Sequence, residues 1–186
     1  MTTDNAQPSV LLIGKSQLVL DESVAGLRDL GHKAEATNDF TDITGRFDVN
    51  EIDLVVFGGQ VPPDRKAELS EEIGAINPGV VFVQGLAGIP GLIINQVQGA
   101  FTANHQDPTR APTYTPDDRT IRLTLADPAT SFVPPDPRSD SLLLLDDQLA
   151  GGEHGIPVPD HVPPKAAFAT VKIDAAIYAF SIATQQ

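Results

Sequence analysis

Two rhythms of apolar and polar positions run along the chain, and one replaces the other just past residue 100. The first opens with Ser9–Ile13 (SVLLI), a short continuous apolar run. Such a run reads as a strand buried on both faces, as in a parallel sheet. From Gln17 to Leu30 the spacing becomes helical: Leu20, Val24 and Leu27 share one face, and Gly31 is a natural stop. Lys33–Thr37 predicts a second strand, and Phe40–Phe47 a weak helix or a loop. Ile52–Phe57 (IDLVVF) is the clearest strand signal. After it, Asp64 predicts an N-cap for a helix carrying Leu69, Ile73 and Ile76, which Asn77-Pro78 ends. Val80–Val83 predicts a fourth strand. Pro90 then opens a helix to about Phe101, with Ile93 and Val97 on its apolar face. This strand–helix alternation predicts a parallel sheet with right-handed crossovers and helices on both faces.

The second rhythm has period two. Residues 102–118 are polar and rich in Pro and Thr, which reads as a linker. Beyond them, Arg119–Leu125 (RTIRLTL) alternates, with Ile121, Leu123 and Leu125 on one face. That is the signature of a half-buried antiparallel strand. A Pro-rich loop (SFVPPDPRSD) follows, then a strand over Ser141–Leu145. Ala167–Ile173 and Ala176–Ile182 predict a hairpin turning near Asp174-Ala175. The expected fold is an α/β parallel-sheet domain over residues 8–103, a linker over 104–117, and a small all-β domain over 118–184. The β domain is expected to hold four or five strands in a small antiparallel sheet or partial sandwich.

Composition narrows the function classes. Aromatics make up only 5% of the 186 residues and Trp is absent, so aliphatic side chains must fill the core. The net charge is −13, and it is spread over both parts rather than held in an acidic tail. A field of this sign repels phosphate backbones and anionic lipid, which argues against nucleic acid and membrane surfaces as partners. With no Cys, disulfides and thiolate nucleophiles are excluded. The polar start MTTDNAQPS has no apolar core of a signal peptide, and no apolar run approaches about 18 residues. A cytoplasmic location is the resulting expectation.

The opening strand VLLI, the helix ending in LGHKAEA, the stretch IDLVVFGGQVPP and the stretch INPGVVFV lie over residues 8–101. In these features the first half of the chain resembles the receiver domain of response regulators, which has a flavodoxin-like fold. The resemblance implies positions for receiver chemistry, and this chain departs from the pattern at each of them. The acidic pair that binds Mg²⁺ after the first strand falls on Gly14 and Lys15, and the phosphoacceptor Asp falls on Gly58. The hydroxyl residue after the fourth strand falls near Gly85, and no fifth strand with its Lys is found. Phosphoryl transfer from a donor needs a carboxylate nucleophile and carboxylate-held metal. The resemblance therefore implies a degenerate receiver, without metal or phosphoacceptor.

Gly14-Lys15-Ser16 has the look of the end of a P-loop. That motif needs a glycine at position 9, which is Ser9 and lies inside the strand. A different use of these residues follows from topology. In an open α/β sheet, ligands bind where the strand order reverses, outside the carboxyl ends of the strands. Gly14, Lys15 and Ser16 are expected to meet Gly58, Gly59 and Gln60 at that crevice, where Lys15 and a helix N-terminus favour an anion. Gly85–Gly91 (GLAGIPG) lacks dinucleotide-fingerprint spacing. His154, Asp160 and His161 match no common metal motif, and no G-x-S-x-G elbow occurs. The leading expectation is a non-catalytic binding or assembly module that engages a protein partner or a second copy of itself, without cofactor. The alternative is an enzyme, or a subunit of one, that binds a small anionic ligand at the crevice.

Overall fold

A computed structural model describes residues 7–86, 88–102, 111–125, 129–132, 144–160, 162, 168–173 and 176–182. The chain divides into two compact units, Met1–Val97 and Gln98–Gln186.

In the first unit, β1 (Ser9–Ile13), β2 (Lys33–Thr37), β3 (Leu54–Phe57) and β4 (Val81–Gln84) form one parallel sheet in the order β2-β1-β3-β4. The helices are α1 (Gln17–Asp29), α2 (Ile43–Arg46), α3 (Pro63–Ile76) and α4 (Pro90–Thr102). Every residue of β3 is buried, as are Val10–Ile13 of β1. Alternation sends Leu11, Ile13, Val55 and Phe57 to one face of the sheet, where they pack with Ile43, Leu69 and Ile73 of α2 and α3. The opposite face carries Leu12 and Val56, close to Leu20 of α1 and Ile93 of α4. There α1 and α4 meet closely: a Cβ added at Gly26 would stand 2.3 Å from Ile94 Cδ1. Helices thus cover both faces of the sheet.

Local chemistry sets the element ends. Gly31 has φ +87°, its N–H donates to Arg28 O, and His32 N–H donates to Leu27 O. This is the paired closure of a Schellman cap, and glycine provides the left-handed residue that it requires. The cap expected at Asp64 lies two residues earlier, at Pro62, and α3 begins at Pro63. Proline's fixed φ suits the first helical position, which leaves Asp64 inside the first turn, where its charge complements the helix dipole. Asn77 ends α3 and ties it down: Nδ2 donates to Val49 O and Ile52 O, and Oδ1 accepts from Gly79 N–H. The strand expected at Val80–Val83 runs one residue later, and Ile52 precedes β3 rather than joining it.

β4 is the edge of the sheet. Gly85 N–H points inward to Phe57 O, so the peptide groups at Gln84 and Leu86 face outward. Gln96 of α4 meets them: its Nε2 donates to Gln84 O at 3.0 Å, and its Oε1 accepts from Leu86 N–H at 3.1 Å. One side-chain amide thus makes the two bonds that a neighbouring strand would make.

The second unit is antiparallel throughout. β5 (Thr113–Thr115), β6 (Thr120–Leu125) and β9 (Gly152–Pro157) form one sheet, in the order β5-β6-β9. β7 (Ala129–Phe132), β8 (Asp146–Leu149), β10 (Phe168–Ile173) and β11 (Ala176–Ser181) form the other, in the order β11-β10-β7-β8. Ile121, Leu123, Leu125 and Ile156 of the first sheet share a buried cluster with Ala169, Val171 and Ile173 of the second. Two sheets closing over one core make a sandwich-like arrangement. Arg119 adopts φ +49°, and its guanidinium donates to Pro159 O and Val162 O, both at 2.8 Å.

Several expectations for this half need correction. The described residues hold seven strands, not four or five. β9 lies in GEHGIP, which reads as a loop in sequence, because it pairs along the whole of β6. β7 takes in Ser131 and Phe132 from the start of the stretch read as a Pro-rich loop, whose residues 133–140 lie outside the described residues. The strand expected at Ser141–Leu145 falls partly outside the described residues, and Leu144 and Leu145 precede β8 rather than form it. β5 occupies part of the stretch read as a linker, of which residues 103–110 lie outside the described residues. The hairpin pairs as expected, from Phe168↔Ser181 to Ile173↔Ala176, with its turn residues 174–175 outside the described ones.

Candidate functional site

The chain passes from β1 through α1 to β2 on one side, then returns across β1 to β3 on the other. The loops after β1 and β3 therefore diverge and leave a crevice between them. Gly14, Lys15, Ser16, Gly58, Gly59 and Gln60 all line this one crevice.

Its floor is backbone. Gly14 N–H donates to Thr37 O, Gly58 N–H to Ile13 O and Gly85 N–H to Phe57 O, at 3.1, 2.8 and 2.8 Å, extending the sheet's ladder past each strand end. A Cβ on Gly58 would stand 3.3 Å from Gly14 Cα, and one on Gly85 would stand 3.2 Å from Phe57 O. Side chains at these positions would crowd the strand ends.

The walls are apolar: Leu12, Val19, Leu20, Val56 and Ile93. At the mouth Lys15, Ser16, Gly59 and Gln60 are exposed. Ser16 stands at the N-cap of α1 without a side-chain hydrogen bond to the helix. Leu18, two residues after Ser16, is 69% exposed, and Leu86 and Ile89 are also open to solvent. The volume is about 120 Å³, well below that of sites built for drug-sized molecules.

Among the described residues, the lining contains no Asp, Glu or His. The positions where the receiver resemblance implies acids or a hydroxyl are occupied by Gly14, Lys15, Gly58 and Gly85, none of which supplies a carboxylate. Beside the crevice, Gln84 Nε2 donates to Phe57 O and Gly85 O while its Oε1 accepts from Lys66 Nζ at 2.6 Å. This buttress on the strand-end loop is not apparent from sequence spacing. Neither are the wall residues Val19 and Ile93, whose place depends on which helix covers which face.

A second hollow, of about 440 Å³, lies on the first unit among Ser9, Arg28, Lys33, Glu35, Asp48 and Glu51. Its charges are mixed, and Arg28 is already held by Ala34 O through both Nε and Nη2. Among the described residues, no three His, Asp or Glu side chains gather as a metal site. His154 Nε2 lies 2.7 Å from Ala150 O, and His161 lies outside the described residues. No helix among the described residues is long and apolar enough to cross a membrane. No family model matches the chain, and no curated protein matches it either.

Proposed function

We propose that the chain is a non-catalytic binding and assembly module, built on a receiver-like α/β unit that has lost phosphoryl chemistry. The observation that carries the reading is the lining of the switch-point crevice: glycine floor, aliphatic walls and, among the described residues, one lysine and no carboxylate. Such a lining offers shape, apolar contact and a positive charge, which suit binding. Lys15 and Ser16 stand there without, among the described residues, the carboxylates that would hold a metal or serve as general base beside them. The strand order β2-β1-β3-β4 is compatible with the receiver-like reading.

A second reading is that the chain serves as an enzyme subunit that holds a small anion in the same crevice. The convergence of Lys15, Ser16 and Gln60 at its mouth favours it. Catalytic groups would then have to come from another chain.

Native mass spectrometry of freshly purified full-length protein tests the proposal. The expected result is a non-covalent increment, either a second copy or a protein partner, leaving an unmodified polypeptide on activation. A bare monomer throughout a concentration series would overturn the assembly reading.

A further inference from the structure

Resting on the binding reading above, we infer that the crevice is a site for a short-chain aliphatic carboxylate, with its tail between the walls and its carboxylate at the mouth. The first observation is a set of solvent-facing donors with no partner in the protein. Lys15, Ser16 and Gln60 line the crevice, and none has a hydrogen bond or ion pair from its side chain among the described residues. The described arginines differ: Arg46, Arg65 and Arg122 are ion-paired, and Arg28 and Arg119 hold backbone carbonyls. An ammonium, a hydroxyl and an amide are together a donor set for a carboxylate.

The second observation is polarity. The chain carries −13, yet among the described residues no acid lines this crevice, so its local charge opposes that of the whole molecule. The third is shape. Behind the mouth the walls are aliphatic, and about 120 Å³ admits a tail of only a few carbons. An inorganic anion would leave those walls unused, and a neutral hydrocarbon would leave the three donors unused. A dinucleotide or a drug-sized molecule is too large. Only an amphiphile with one small anionic head uses both parts.

Isovalerate is the probe, titrated into ¹⁵N-labelled full-length protein and followed by amide chemical shifts. The inference expects saturable shifts at Gly14–Ser16 and Gly58–Gln60. Isovaleramide, with the same tail and no charge, should bind about tenfold more weakly, as should inorganic phosphate. Lys15→Met should weaken isovalerate by a similar factor, while Lys33→Met, outside the crevice lining, should leave it unchanged. Gly88→Leu should narrow the crevice, since a Cβ at this position would already stand 3.9 Å from Val19 Cγ2. That variant should lose isovalerate binding. Equal affinity for phosphate would reduce the site to an anion lip, and equal affinity for the amide would reduce it to an apolar slot. Either result overturns the inference, as does the absence of saturable shifts, and the assembly reading survives all three. Consumption of isovalerate would instead overturn the non-catalytic reading and leave the ligand class standing.

Discussion

At the scale of single residues, the first unit depends on a few polar side chains that replace missing backbone partners. Asn77 is the clearest, since its amide satisfies two carbonyls and one N–H around the junction of α3 and β4. Asn77→Ala leaves those groups unpaired and should cost about 2 kcal/mol, measurable by urea unfolding. Asn77→Asp keeps the acceptor but loses both donors, so it should be comparably destabilised. An alanine variant as stable as the parent would mean that water replaces the amide at no cost. Asn77 reads in sequence only as a helix stop, because its neighbour is proline. Its bonds to Val49 and Ile52 span 28 and 25 residues, beyond the reach of local pattern. Lys15 and Gln60 are different. Once strands and helices alternate, the loops after the first and third strands must flank the reversal in strand order, and these residues sit in those loops.

At the scale of elements, legibility followed how much each strand owes to its own side chains. β1 and β3 are continuous apolar runs and β6 alternates strictly, so their sequences specify buried and half-buried strands. β9 (GEHGIP) has two glycines and a proline and no such pattern. It is a strand because β6 offers it a full register from Thr120↔Pro157 to Leu125↔Gly152, and pairing overrides propensity. β8 (DDQL) begins with two exposed acids, which suits its place at the end of its sheet order. The core of the second unit depends on the register of β6, which puts Leu123 at 2% exposure. Leu123→Asp buries an unpaired carboxylate and removes aliphatic packing, so it should cost at least about 3 kcal/mol. Thermal unfolding reads the loss. Arg122→Asp, one residue away on the exposed face, should shift the midpoint far less. Equal midpoints for the two variants would place Leu123 on the wrong face.

At the scale of the whole molecule, the coarse plan was legible and the function was not. A change from helical to alternating spacing is a property of the chain itself, and it separates an α/β unit from a β unit before any contact is known. What a unit binds depends on which side chains converge without internal partners, and that appears only in three dimensions. Among the described residues no fifth strand extends the parallel sheet, and Gln96 supplies a two-bond substitute at the edge of β4. The proposed function supposes an α/β unit without phosphoryl transfer, since Gly14, Lys15 and Gly58 stand where the receiver resemblance implies carboxylates. Incubating the full chain with acetyl phosphate and Mg²⁺, then measuring its intact mass, tests that claim most directly. An unchanged polypeptide mass at every time point is expected; a stoichiometric, hydroxylamine-labile phosphate adduct would overturn the reading.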